Sequence, residues 1–271
     1  MQVWETASAT AVATVEHGDF LSSLAFAPDG ATLATAGRDG HVRLWEARTG
    51  RRLLDVAAHL GLSPDGFEYV ADTAEVTPDG RLLVTAGDDG AVRVWDASTG
   101  RERLAIDAHP PVQPRYIEGV VATVSPDGRR IASAAQWEPV ARVWSVSDGA
   151  LVAELAGHAG GLSGISFSPD GRFVLTTSYD GTARVWDPES GRAVLVIRPL
   201  RPGGPAQDLA PSAAFAPDGR SVLGGAGQTL RLYRCDVCAP LADLLAAAHD
   251  RVARELTEAE RRRYLEPAAE P

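Results

Sequence analysis

The chain has 271 residues, a formal net charge of −10 and a sequence pI of about 5.1; 45% of the residues are hydrophobic and 23% are charged. Those proportions exclude a disordered or collagen-like chain, and the acidic balance disfavours general binding to phosphate backbones. No run approaches the roughly 18 apolar residues of a membrane-spanning helix, and the first ten residues lack the basic and apolar regions of a secretory signal, so a cytoplasmic protein without membrane or nucleic-acid partners is expected.

In chain order, Gln2 to Trp4 and Ala11 to Val15 read as two short strands. A longer pattern then begins. Leu24 and Phe26 alternate with small residues, as a buried strand does. Pro28-Asp29-Gly30 turns the chain, with Pro presetting φ and Gly accepting a positive one. Leu33 to Thr35 is the next strand, Asp39-Gly40 a hairpin turn, Val42 to Trp45 a third strand, and Arg52 to Val56 an outer one.

The pattern recurs. Pro-Asp-Gly returns at Pro78, Pro126, Pro169 and Pro217, and each time an apolar-Arg-apolar-aromatic phrase follows, ending at Trp95, Trp144, Trp186 and Tyr233. From Trp45 onward the aromatics are 50, 49, 42 and 47 residues apart. A period in the forties with strand content points to a repeat that buries its sheet faces only by stacking on neighbours.

These motifs resemble the WD-repeat (WD40) family over roughly residues 1–235. The resemblance implies an all-β propeller and, within each unit, a structural hydrogen-bonded tetrad of His, Ser or Thr, Asp and Trp. The matching residues are His17, Thr35, Asp39 and Trp45; His59, Thr85, Asp89 and Trp95; and His158, Thr176, Asp180 and Trp186. The third full unit keeps His109, Ser133 and Trp144, but Gln136-Trp137-Glu138-Pro139 replaces its Asp-Gly turn. The fifth has Tyr233 and neither His nor Asp. A recurring constellation that ends on a Trp N–H suits a satisfied buried network better than a catalytic triad, so no catalytic residue, cofactor or metal is expected.

The units depart from one another mainly in connections, where function concentrates on rigid scaffolds. Leu60 to Ala71 contains Phe67 and Tyr69, Pro110 to Glu118 contains Tyr116, and Arg198 to Leu209 is rich in Pro and Gly. With Arg38, Tyr179 and the off-register Trp137, these aromatics are the candidate protein-binding residues, of the side-chain types enriched at hot spots. Trp137 is equally suited to filling a gap left by the absent Asp.

Cys235-Asp-Val-Cys238 has the spacing of half a zinc site or a redox pair. No second pair exists, so two unlinked thiols are expected. Pro240 to Leu265 has helical spacing and reads as a cap on the last unit. This tail resembles those of bacterial WD-repeat proteins attached to STAND-type ATPases and Ser/Thr kinases, and a composition with only Arg as base and no Asn fits a GC-rich bacterial source.

The domains are therefore a partial N-terminal unit (1–18, third and fourth strands), five repeats (19–234) and a helical tail (235–271). The expected architecture is an incomplete or open ring, because the first unit lacks two strands and the last lacks one. The alternative, in which Ala11 to Val15 completes the last unit, gives a five-bladed ring. The expected function is a non-enzymatic scaffold or sensor that holds a protein or peptide on its loop-rich face. Two alternatives stay open: a propeller enzyme with carboxylates converging on a central channel, and a half-propeller completed by a second chain or an N-terminal region.

Overall fold

The computed structural model describes residues 1–63, 66, 68–110, 119–198, 212–226, 229–235 and 238. Phe67, Tyr116, most of the 198–209 connection and the expected helical tail lie outside the described residues.

Six antiparallel sheets follow one another along the chain. The first has two strands, β1 (Gln2–Glu5) and β2 (Thr10–Thr14). Four complete sheets come next. They are β3 (Leu21–Phe26), β4 (Thr32–Gly37), β5 (His41–Glu46) and β6 (Arg52–Ala57); β7 (Ala71–Val76), β8 (Leu82–Gly87), β9 (Ala91–Asp96) and β10 (Glu102–Asp107); β11 (Val120–Val124), β12 (Arg130–Ala135), β13 (Val140–Ser145) and β14 (Leu151–Ala156); and β15 (Leu162–Phe167), β16 (Val174–Ser178), β17 (Ala183–Trp186) and β18 (Ala193–Ile197). The last sheet has three strands, β19 (Ser212–Phe215), β20 (Ser221–Ala226) and β21 (Thr229–Arg234).

The turns explain the strand spacing. In the first Pro-Asp-Gly turn, Asp29 Oδ1 accepts the Ala31 N–H at 2.8 Å and Gly30 sits at φ +66°. Asp79, Asp127, Asp170 and Asp218 each accept the N–H two residues on in the same way. A short side chain that bonds its own turn, followed by a residue free of the Cβ restriction, fixes the hairpin without tertiary help.

Register is uniform. The third-strand aromatic lies opposite an aliphatic residue of the second strand: Leu33 and Trp45, Leu83 and Trp95, Ile131 and Trp144, Val174 and Trp186, Val222 and Tyr233. The pairing of the third with the fourth strand slips at the aromatic, as between Leu44 and Trp45 or Val143 and Trp144. The same slip falls between Val3 and Trp4, which places β1 and β2 in the roles of third and fourth strands. β2 pairs with β1 and does not complete the last sheet.

The cores lie between sheets. Each first strand packs on the first two strands of the preceding sheet: β7 on β3 and β4, β11 on β7 and β8, β15 on β11 and β12, β19 on β15 and β16. Alanines on the second strands, such as Ala34 and Ala36 under Ala74 and Val76, allow close approach of the sheets. Among the described residues no comparable packing joins β19–β21 to β1–β6.

Two expectations are corrected. Leu24 and Phe26 are not buried: they are 53% and 52% exposed, because among the described residues the sheet ahead of β3 has only the two strands β1 and β2. Cys235 and Cys238 are not unlinked thiols but form a disulfide across a Cα–Cα distance of 5.2 Å, within the reach such a bridge needs.

Candidate binding surface

The polar groups that look reactive are locked inside the sheets. In the first complete sheet Trp45 Nε1 donates to Thr35 Oγ1 at 2.8 Å, that hydroxyl meets His17 Nδ1 at 2.8 Å, and His17 Nε2 faces Asp39 Oδ1 at 3.3 Å. In the second, the ring is reversed: His59 Nε2 meets Thr85 Oγ1 at 3.0 Å and Nδ1 meets Asp89 at 2.8 Å, while Trp95 donates to Thr85 at 3.1 Å. In the fourth, His158 Nε2 and Trp186 Nε1 meet Thr176 at 2.8 and 2.7 Å, and His158 Nδ1 meets Asp180 at 2.9 Å.

Indole N–H only donates, so the hydroxyl accepts from Trp and gives its own proton to His; the other His nitrogen then donates to the carboxylate. One neutral imidazole satisfies the whole chain. Burial, the largest influence, pushes His17, His59 and His158 below the usual histidine range. The hydroxyls of Thr35, Thr85 and Thr176 are fully buried with no path for a substrate. The geometry is that of a structural network.

The third complete sheet was expected to lack the acid, and it does not. Glu138 Oε2 lies 2.8 Å from His109 Nδ1, His109 Nε2 lies 2.8 Å from Ser133 Oγ, and Trp144 donates to that oxygen at 2.9 Å. Glu138 also takes two bonds from Arg142, at 2.7 and 2.6 Å. Burial works to raise its pKa, but the His109 and Arg142 bonds outweigh it and hold the carboxyl at about 2. The signal was in the sequence: Glu138 stands four residues before Arg142, as Asp39 stands before Arg43 and Asp89 before Arg93. Both of those pairs are bonded too, at 2.8 and 2.7 Å. Replacing Glu138 by Gln is expected to lower unfolding free energy by about 1–2 kcal/mol in urea titration, since it strips Arg142 and His109 of their charged acceptor; no change would mean the network is redundant.

With Glu138 in place, Trp137 has no acid's gap to fill. Its ring is half-buried against the cluster of Val120, Ile131 and Trp144, which favours packing over display.

Sequence reading missed a set of acids on one strand. Asp72 Oδ2 accepts the Val120 N–H at 2.9 Å, Thr73 Oγ1 accepts that of Ala122 at 3.2 Å, and Glu75 Oε2 accepts that of Val124 at 3.0 Å. Side chains of β7 thus cap alternate N–H groups on the free edge of β11. Burial drives Asp72 up to about 7 and Asp88 up to about 6. Within the described residues these carboxylates serve backbone donors, and no group of three or more His, Cys, Asp or Glu is placed to hold a metal ion. Two acids, Asp72 and Glu75, on a first strand where the other units carry apolar or small residues were the available clue.

The connections gather at one end of the sheets. Arg38 N–H bonds to Phe20 O, His59 N–H to Gly40 O, Asp88 N–H to Val70 O and Tyr179 N–H to Gly161 O, so the second-to-third-strand turns and the inter-sheet loops share one face. Phe20, Leu60, Leu62 and Tyr179 are exposed there. Arg38 lies over the Phe20 ring at 5.9 Å, and Tyr179 donates to Gln136 across the gap between sheets at 2.9 Å. Tyr69 is half-buried and its N–H bonds to Gly61 O.

The family model described as "WD domain, G-beta repeat" matches residues 10–46, 68–96 and 149–187. The chain carries WD40 repeats. It is 30% identical over 186 residues to the mouse Periodic tryptophan protein 2 homolog, covering 68% of this chain and 19% of that protein. It is 26% identical over 116 residues to Small ribosomal subunit protein RACK1 of Caenorhabditis elegans, covering 42% and 34%. It is 46% identical over 46 residues to the Guanine nucleotide-binding protein subunit beta of Saccharomyces cerevisiae, covering 17% and 11%. The chain spans about a third or less of the length of each of these relatives, all of them eukaryotic.

Proposed function

We propose that this WD40 chain is a non-catalytic platform that holds a protein or peptide on its loop-rich face. The observation that carries this reading is that the exposed apolar side chains Phe20, Leu60, Leu62 and Tyr179 stand at the one end of the sheets that the loops share, with Arg38 over the Phe20 ring. Aromatic and Arg anchors on a rigid scaffold are what partner surfaces use. The names of the WD40 relatives, a ribosomal subunit protein and a G-protein subunit among them, support membership of larger assemblies. The Arg-only, Asn-free composition and the tail support a bacterial signalling protein as the source.

A photo-crosslinking amino acid at position 60 or 179 is expected to capture a defined partner in cells. The same residue at positions 29 or 79, in the turns of the opposite face, is expected to capture none. Equal capture from both faces, or capture unaffected by Arg38→Ala with Phe20→Ala, would sink the assignment of this face.

A further inference from the structure

On the face opposite the loops the four complete sheets repeat one layout, and one seam between them departs from it in charge. The third-to-fourth-strand turn of each sheet packs on the outer strand of the sheet before it: an added Cβ on Gly100 would meet Leu54, one on Gly149 Leu104, and one on Gly191 Ala153. The first-to-second-strand turns sit side by side as well, with Gly128 beside Pro78 and Gly171 beside Pro126. Equivalent positions therefore line equivalent seams.

Directly after the third-strand Trp the four sheets carry Glu46, Asp96, Ser145 and Asp187, so Ser145 alone is not an acid. At the second position of the outer strand they carry Leu53, Arg103, Val152 and Val194, so Arg103 alone is charged. Both exceptions fall at the seam between the second and third complete sheets. At the next seam Asp187 and Glu189 hold the places of Ser145 and Ser147, and Glu189 pairs with Arg130 across it.

A cleft of about 590 Å³ opens at the exceptional seam. Leu82, Leu104 and Val146 form its apolar wall, half-buried against the core that the two sheets share. Arg103, Arg129, Ser145 and Ser147 supply the polar wall, and among the described residues no acid lines it. The acids nearby are engaged in their own turns. Asp127 accepts the Ser125 hydroxyl and the Arg129 N–H, and Asp148 accepts the Ala150 N–H. Arg129 is exposed and joins no ion pair among the described residues. Arg103 donates to Asp96 at 2.7 Å, but Asp96 also holds the N–H and hydroxyl groups of Ser98 and Thr99. That acid stays satisfied when Arg103 turns to a ligand.

We propose that this cleft binds a small amphipathic anion, an aliphatic carboxylate. Its chain lies on Leu82, Leu104 and Val146, and its headgroup sits between Arg103 and Arg129 with the Ser145 and Ser147 hydroxyls in reach. Guanidinium forks match carboxylates in shape and charge. A concave, largely apolar cleft of this size with a few placed polar groups suits a small molecule. The chain as a whole carries a net charge of −10 and repels anions, so a cleft with arginines and no acid is where one is held. Both walls come from four-stranded sheets, so the cleft owes nothing to the two-stranded first sheet or the three-stranded last one. It is also independent of the loop-rich face, and a small molecule here leaves no protein to capture on the opposite side.

The probe is octanoate, titrated into the full chain and followed by methyl NMR. Saturable binding at one site is expected, with shifts centred on Leu82, Leu104 and Val146. Arg129→Ala and Arg103→Leu, the second restoring the residue type of the other outer strands, are each expected to weaken it about tenfold through the loss of a charge-assisted bond. Octanol, which lacks the charge, and butyrate, which lacks most of the chain, are each expected to bind at least about tenfold more weakly than octanoate. Arg172→Ala, at the turn position equivalent to Arg129 on the next seam, is expected to leave binding unchanged. Unaltered methyl shifts outside the cleft show that each variant is folded. Octanoate that fails to saturate overturns the site, whether the cause is cover by the chain's own residues or a preference for another ligand such as octyl phosphate or an acidic peptide. Equal binding of octanol and octanoate overturns it too, as do shifts centred on another part of the molecule and folded Arg103→Leu and Arg129→Ala variants that bind like the parent.

Discussion

Gly161→Ala is expected to destabilise the protein severely, because among the described glycines an added Cβ at Gly161 makes the closest approach to backbone. A Cβ at Gly161 would fall on the Gln136 carbonyl oxygen and crowd its carbon at 2.7 Å, with the Trp137 nitrogen in contact at 3.5 Å. All three are backbone or backbone-bonded atoms of the preceding sheet, so no side chain can swing away. Relief requires the fourth complete sheet to separate from the third at the loop-rich end. That motion would break the Tyr179 bond to Gln136 and the packing of Leu162 in the core shared with Leu155. An overpacking strain of about 1–3 kcal/mol plus the lost bonds gives a loss on the order of 3–5 kcal/mol. Gly30→Ala is the control. Gly30 has φ +66° but nothing within 4 Å of its added Cβ, so it carries only the left-handed backbone penalty of about 1 kcal/mol. Urea unfolding of the two variants separates steric closeness from backbone conformation. Equal losses would mean that the seam between these sheets yields freely.

Much of this architecture was legible in the sequence because its determinants are local. A Pro-Asp-Gly turn closes on its own Asp, and an Arg two residues before a Trp marks a third strand whatever lies around it. Register brings Thr35 and Trp45 together on neighbouring strands with Asp39 in the turn between them, and His17 joins them from the connection ahead of β3. What failed depended on neighbours. Leu24 and Phe26 have the alternation of a buried strand, and every other first strand in their register is covered. Whether they are buried is decided by a sheet that here has only two strands, which no pattern within residues 21–26 records. Glu138 was hidden by the Gln136-Trp137 dipeptide in front of it, although its spacing to Arg142 matched the other units. The Cys235–Cys238 bridge could not be separated from free thiols by spacing alone. The acids of β7 went unremarked because their role, capping the edge of β11, exists only once two sheets are stacked.

Those acids give the second large effect, a stability that falls as pH rises. Asp72 is driven up to about 7 first by burial; the Val120 N–H bond works the other way, and the nearby Asp88 and Asp89 carboxylates add to the rise. Asp88 and Glu75 are displaced upward as well, again chiefly by burial. In the unfolded chain Asp72 ionises near its ordinary value of 3.8. Between that value and about 7 the unfolded chain has released a proton that the folded chain still holds, so rising pH favours unfolding. The favourable contribution is complete below pH 4, shrinks through pH 5 and 6, and is gone above about pH 7. Each unit of pH in that window is worth about 1.4 kcal/mol per group. Asn keeps a carbonyl oxygen for the Val120 N–H and never ionises. The unfolding free energy of Asp72→Asn relative to the parent is therefore expected to improve by about 3 kcal/mol between pH 5 and pH 8. Any constant cost of the substitution cancels in that difference. The acids with depressed values, Glu138 and Asp89 among them, lose their contribution only as pH falls below about 4, outside this window. Parallel stability curves for parent and variant from pH 5 to 8 would show that Asp72 ionises in the folded protein as it does in water, and that the seam between β7 and β11 admits solvent.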